Sequence, residues 1–299
     1  MGGGGSRQAP PVVASCQFPP YCIQMLGSRH VLLAGGGGAA KTGVANQLNG
    51  FIFELTNPTP SADPNVKCDN LKLIQSLSVN TDTRATMNLD VAVIDPLSGK
   101  YLIATGQEDQ CVIYRTEFDV IYPENQKEGQ RKPQLTFTVN QLNMFRSDMH
   151  PKLPYQKVAR FKPMSKGQQL VTAGADGHFR LWNLVTGQMV IEVNAHKDDI
   201  DDLDISPDGK VLVTVGHDAK TILWSLEDGS KLVEVPSPTE LSSGFRVRSC
   251  RFTRLGEKNL VFVSAHTPIQ RGSKNQRSFL VLWAYSKERN ICRPIVIKA

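Results

Sequence analysis

The apolar positions of this chain fall in short runs separated by glycine, proline, asparagine and aspartate. Tyr21–Leu26, His30–Ala34, Phe51–Leu55 and Leu71–Leu77 are rich in β-branched, leucine and aromatic residues and too short for helices, so they read as β-strands. Asp90–Ile94, Tyr101–Thr105 and Cys111–Arg115 read the same way, with Thr81–Leu89 as the stretch that leads into them. The prolines between Asn57 and Pro64 mark a loop. Pro123–Pro133 is polar and charged, the composition of a solvated insertion.

Further along, the pattern repeats. Leu170–Trp182 and Leu212–Trp224 align residue for residue, placing Trp182 and Trp224, Asp176 and Asp218, and Gly187 and Gly229 each 42 residues apart. A period of about 40–45 residues, with a histidine opening the unit and a tryptophan closing its third strand, is the signature of a WD-repeat β-propeller with four strands to a blade. The turn between the second and third strands needs fixing. Asp218 there is expected to accept a hydrogen bond from His196, His196 to reach Thr214, and Thr214 to take one from Trp224. These four residues form a structural network of the blade. A hydrolytic triad is recognised by geometry and roles, and the mere presence of such residue types does not make one.

Weaker copies flank the pair. Ala104–Glu108 leads to Tyr114 in place of the tryptophan, and Leu260–Ser264 with Ser278–Trp283 forms another second and third strand around the basic insertion Gln270–Arg277. Residues 21–77 supply four more strands. The fold expected is all-β, a WD-repeat propeller of about five blades, with residues 1–15 as a flexible leader and 16–299 as the propeller domain.

Composition changes this picture little. With 40% hydrophobic and 21% charged residues the chain is ordinary globular material, and a net charge of +6 does not choose among acidic partners. The six cysteines form no C-x-x-C pair, which fits a reduced, cytosol-facing setting rather than a metal or disulfide framework. No secretory leader and no apolar run of membrane-spanning length occurs; Met1–Ser6 fits the loose N-myristoylation pattern but reads as glycine-rich leader.

One stretch stands apart, Gly35-Gly36-Gly37-Gly38-Ala39-Ala40-Lys41-Thr42-Gly43-Val44-Ala45-Asn46. It is nearly a phosphate-binding P-loop, but Ala40 stands where glycine must precede the lysine. The next element is a strand and not the helix whose N-terminus would hold a phosphate. The segment therefore joins two strands as a loop of bare backbone, able to curl around an ion or press closely on a partner.

This loop, the segment Thr83–Leu89 and the repeats together resemble the prolactin regulatory element-binding protein family, WD-repeat guanine nucleotide exchange factors for the Sar-type small GTPase of COPII coats. The resemblance spans roughly residues 20 to 299. It implies seven blades and a C-terminal membrane anchor, against about five blades here, so a fragment or short form of a longer protein is expected. It also implies that the loop binds potassium, through the backbone of Gly35, Gly36, Gly37 and Gly38 and the side chain of Asn46. The ion would stiffen a wedge against the GTPase in which Lys41, Thr42 and Gly43 also take part, with Arg84 and Asn88 bordering the same face. The implied setting is the cytosolic face of the endoplasmic reticulum, where the factor drives GDP release without covalent chemistry. Two other readings are open: a WD-repeat scaffold without effect on any rate, or a DNA-binding regulator. The second finds no helix-turn-helix, no zinc-finger spacing and no dense basic stripe, Arg246, Arg248 and Lys274–Arg277 being scattered, so nucleic acid is not an expected partner.

Overall fold

The computed structural model describes residues 15–28, 30–40, 43–55, 71–122, 134–241, 244–254, 259–269 and 277–298. The expected leader, the Asn57–Pro64 loop, the Pro123–Pro133 insertion, Lys41 and Thr42, and all of the basic insertion except Arg277 lie outside the described residues.

Five antiparallel sheets, each of four strands in chain order, make up the described structure. The first holds β1 (Pro20–Leu26), β2 (His30–Gly35), β3 (Gln47–Leu55) and β4 (Leu71–Asn80). The second holds β5 (Thr86–Asp95), β6 (Lys100–Gln107), β7 (Gln110–Ile121) and β8 (Gln134–Arg146). The third holds β9 (Gln156–Phe161), β10 (Gln169–Gly174), β11 (His178–Asn183) and β12 (Gln188–Asn194). The fourth holds β13 (Ile200–Ile205), β14 (Val211–Gly216), β15 (Thr221–Ser225) and β16 (Lys231–Glu234). The fifth holds β17 (Phe245–Phe252), β18 (Leu260–Pro268), β19 (Phe279–Ser286) and β20 (Ile291–Lys298). The first strands of successive sheets touch in series, β1 on β5, β5 on β9, β9 on β13 and β13 on β17. This is the blade arrangement of a propeller, with the innermost strands around a common axis.

Apolar packing joins one blade to the next. Phe179 of the third sheet meets Trp224 of the fourth edge to face, ring centroids 5.5 Å apart, within a cluster that also takes in Val171, Leu203 and Leu212. Polar stitching joins them along the axis. Ile23, Asp90, Arg160, Asp204 and Arg251 occupy matching register positions on the five innermost strands and line a cavity of about 600 Å³. The Asp90 carboxylate accepts from the Phe161 amide at 2.7 Å, and Asp204 accepts from the Phe252 amide at 2.7 Å, so each acid grips the backbone of the following blade. Burial raises the pKa of both acids, against the pull of Arg160.

The turn network of the fourth blade is fully assembled. His196 Nδ1 lies 2.9 Å from Asp218 Oδ1 and Nε2 lies 2.8 Å from Thr214 Oγ1, which accepts the Trp224 indole N–H at 2.9 Å. The backbone amides of Lys197 and Lys220 donate to the same carboxylate. Burial works against the Asp218 charge, but these donors outweigh it and hold its pKa below the usual range. Other blades reach the same end by different residues. Trp182 donates to Thr172 at 2.8 Å in the third, where Asp176 pairs with the buried Arg180. Gln107 bridges Thr105 and Tyr114 in the second. In the fifth, Ser264 Oγ accepts from Trp283 and lies 2.8 Å from His266 Nε2.

Both buried histidines have lowered pKa values. Burial is the cause for His266, brought down to about 4, and the leading cause for His196, partly offset by Asp218. The unfolded chain therefore takes up protons on these rings at higher pH than the folded one. Their contribution to stability is complete above the ordinary imidazole value and is lost as pH falls. The melting temperature is expected to fall as pH drops from about 6.5 to about 4, with His266 accounting for about 2 kcal/mol. In His266→Gln the decline should be shallower. A variant profile parallel to that of the parent chain would contradict the assignment.

Candidate functional site: a glycine loop pinned by Asn46

The glycine segment connects β2 to β3, and no helix follows it. Gly35 is the last residue of β2, paired with Pro20 and with Gln47, so the loop proper begins at Gly36. Likewise β3 begins at Gln47, ahead of the apolar run Phe51–Leu55 that marks it in the sequence.

The first glycines are there for close approach. A Cβ on Gly35 would stand 2.0 Å from the Pro19 carbonyl oxygen, and one on Gly36, whose φ is +144°, would stand 2.1 Å from Asn46 Oδ1. The Gly36 amide donates to the Pro19 carbonyl at 3.2 Å. Asn46, only 4% exposed, closes the loop from the other side. Its Oδ1 accepts from the Gly38 amide at 2.8 Å, and its Nδ2 donates to the Gly38 carbonyl at 3.2 Å and to the Asp82 carbonyl at 2.9 Å. The Thr81 amide donates to the Asn46 carbonyl at 3.0 Å. One carboxamide thus ties the two ends of the loop to each other and to the link between the first two blades. Beyond this pin Ala39, Ala40, Gly43, Val44 and Ala45 are exposed.

The link itself is a compact turn. Asn80 Oδ1 accepts from the Asp82 amide, Asp82 sits at φ +55°, and Thr81 Oγ1 donates to the Arg84 carbonyl at 2.8 Å. Sequence reasoning missed Asn80, Thr81 and Asp82 as supports of the loop. The Asn-Thr-Asp run, which favours such side-chain-to-backbone turns, was the available signal. Arg84 lies at the surface of the same end of the sheets, its guanidinium bonded to Gln110 and 3.6 Å from Glu108. Asn88 does not border that face. It lies within β5, 9% exposed, donates to the Gln156 carbonyl at 3.0 Å and accepts from the Gln156 side chain at 3.1 Å. It joins the second blade to the third. The reason is strand alternation: β5 begins at Thr86 rather than Asp90, which turns Asn88 inward.

The donor chemistry around the pin is that of neutral oxygens. The carbonyls of Gly36, Gly37 and Gly38 and the second lone pair of Asn46 Oδ1 suit a large monovalent cation of low charge density. Among the described residues no group of three or more His, Cys, Asp or Glu side chains is placed to hold a metal ion. No helix of the described residues is long and apolar enough to cross a membrane.

These features define a WD-repeat protein of the propeller type, and the WD domain, G-beta repeat family matches residues 187–225, which contain the Thr214–Trp224 pair. Across most of its length the chain is similar to two homologues that carry the name Guanine nucleotide-exchange factor SEC12. The one from Mus musculus is 30% identical over 293 residues, covering 89% of this chain and 65% of that protein. The one from Rattus norvegicus is 29% identical over 293 residues with the same coverage. The chain spans about 65% of the length of these curated relatives.

Proposed function

We infer that this protein is a guanine nucleotide exchange factor that promotes GDP release from a Sar-type small GTPase, the step that starts COPII coat assembly on the cytosolic face of the endoplasmic reticulum. The observation that carries the reading is the similarity, over 89% of the chain, to proteins named for nucleotide exchange. The pinned glycine loop supports it by offering an element suited to the task. Exchange requires no bond to be made or broken in the protein. It requires a surface that binds the nucleotide-free GTPase better than the GDP-bound form, so that binding and nucleotide loss become coupled.

On this reading Gly36, Gly37 and Gly38 form the stiff base of a wedge, and residues 39–45 its tip. Lys41, Thr42 and Gly43 belong to that tip. Asn46 holds the base in one conformation, which lowers the entropy lost on docking. A potassium ion held by the carbonyls of the glycine run and Asn46 Oδ1 would supply added rigidity. Arg84 contributes to the flank of the surface, and an anchor elsewhere in a longer protein would keep it at the membrane.

The test is release of a fluorescent GDP analogue from a purified Sar-type GTPase. The full chain is expected to accelerate release, and to do so less well when sodium replaces potassium. No acceleration, with the GTPase still bound, would leave a docking scaffold in its place. Equal rates in the two salts would remove the ion from the account.

A further inference from the structure

The turns that close each blade at the end opposite the glycine loop form a second surface, and between the second and third blades it holds a cleft of about 380 Å³. Leu102, Ile113 and Leu184 are among the apolar side chains that line it, Ile113 being almost fully buried. Ile94, Leu142 and Val185 also line it and are 43%, 54% and 72% exposed, a large apolar display for one small area. Around it stand three cations, Lys100, Arg115 and Lys166, and no carboxylate lines the cleft among the described residues. Arg115 is paired with Glu117 and Lys100 sits in the field of Asp95, whereas Lys166 has no ion-pair partner among the described residues.

The backbone at this place is shaped for openness. Met164 and Lys166, neither of them glycine, hold left-handed φ values of 64° and 51°. The turn is kept there by Ser165, which donates to the Lys162 carbonyl and accepts from the Gln168 and Gln169 amides. Next to it Gly167, at φ +76°, would bring a Cβ within 2.8 Å of the Ile94 and Leu102 methyl groups, so its bare backbone is what lets those side chains form the wall. Strained residues persist where the surroundings over-determine them, and they gather at binding sites.

We propose that this cleft is a docking site for an extended acidic peptide segment of a partner protein, with one or two apolar side chains seated between the blades and carboxylates facing Lys166, Lys100 and Arg115. The volume is at the small end of ligand sites, enough for apolar anchors but not for a folded element. An anionic membrane is the less favourable occupant. The deepest apolar groups are recessed, and the same end of the sheets carries Asp95, Asp208, Glu227 and Asp228, which a negatively charged bilayer would meet. The proposal is independent of the exchange reading, which concerns the opposite end of the blades.

The experiment uses the full chain and three fluorescein-labelled ten-residue peptides: alternating glutamate and leucine, the same with serine for leucine, and the same with lysine for glutamate. Fluorescence anisotropy should show the first binding at least about 10-fold more tightly than either control. Lys166→Glu should weaken the first about 10-fold and strengthen the lysine peptide. Val185→Asp, at an exposed position, should weaken it with no change in melting temperature. Equal affinities for the three peptides, or no binding by any of them, would overturn the proposal. So would sedimentation of the chain with phosphatidylserine vesicles while the peptides stay unbound.

Discussion

Replacing Asn46 by alanine is expected to slow GDP release from the GTPase by roughly 10- to 100-fold while leaving the fold in place. The side chain makes three hydrogen bonds, two to Gly38 and one to Asp82. At about 1 kcal/mol each, and about 1.4 kcal/mol per factor of ten, their loss shifts the loop from mostly ordered to mostly disordered by that amount. The effect on global stability is smaller, because Gly38 and its neighbours are open to water and regain hydrogen bonds there. A loss of about 1 kcal/mol, seen as a fall of a few degrees in melting temperature, is the expected figure. Stopped-flow release of the fluorescent nucleotide, read beside a thermal melt, separates the two effects. A variant that melts early and exchanges normally would make Asn46 a stability residue only.

The second large effect belongs to Trp224. Trp224→Ala should cost about 3–5 kcal/mol, since it empties the space of a 6% exposed indole between the third and fourth blades and removes a donor to Thr214. Trp224→Phe keeps most of the packing against Phe179 and loses chiefly the hydrogen bond, so about 1–2 kcal/mol is expected. Denaturant titration of the two variants gives the comparison. Equal losses would mean that the hydrogen-bonded chain through Thr214 and His196, and not packing between blades, dominates at this position.

The architecture was legible where side chains are constrained from two directions. Trp182 and Trp224, at their fixed spacing, mark third strands because an indole there must both pack on the next blade and reach a hydroxyl on the second strand. His196, Thr214 and Asp218 were readable as a unit for the same reason. The fourth strands were not. β8, β12, β16 and β20 lie at the outer edge of each sheet, and Leu142, Met144, Val190 and Ile295 on them are exposed, so no clean alternation survives. In the fifth blade the histidine that reaches the serine comes from the strand itself, His266, and not from the preceding link, so the motif was hidden. At the candidate site the glycine run announced a loop, and Asn46 was visible as an organiser. That its amide is held by Gly38 and Asp82, and that Asn88 turns inward, depends on strand starts set by pairing with neighbours rather than by local composition.

Amide hydrogen exchange of the chain, alone, with the GDP-bound GTPase and with the nucleotide-free GTPase, tests the central claim most directly. The exchange account predicts that protection rises at residues 36–46 and at the Asn80–Arg84 link with the nucleotide-free form, and far less with the GDP form. Unchanged exchange in these segments, with protection appearing elsewhere on the propeller, would contradict it.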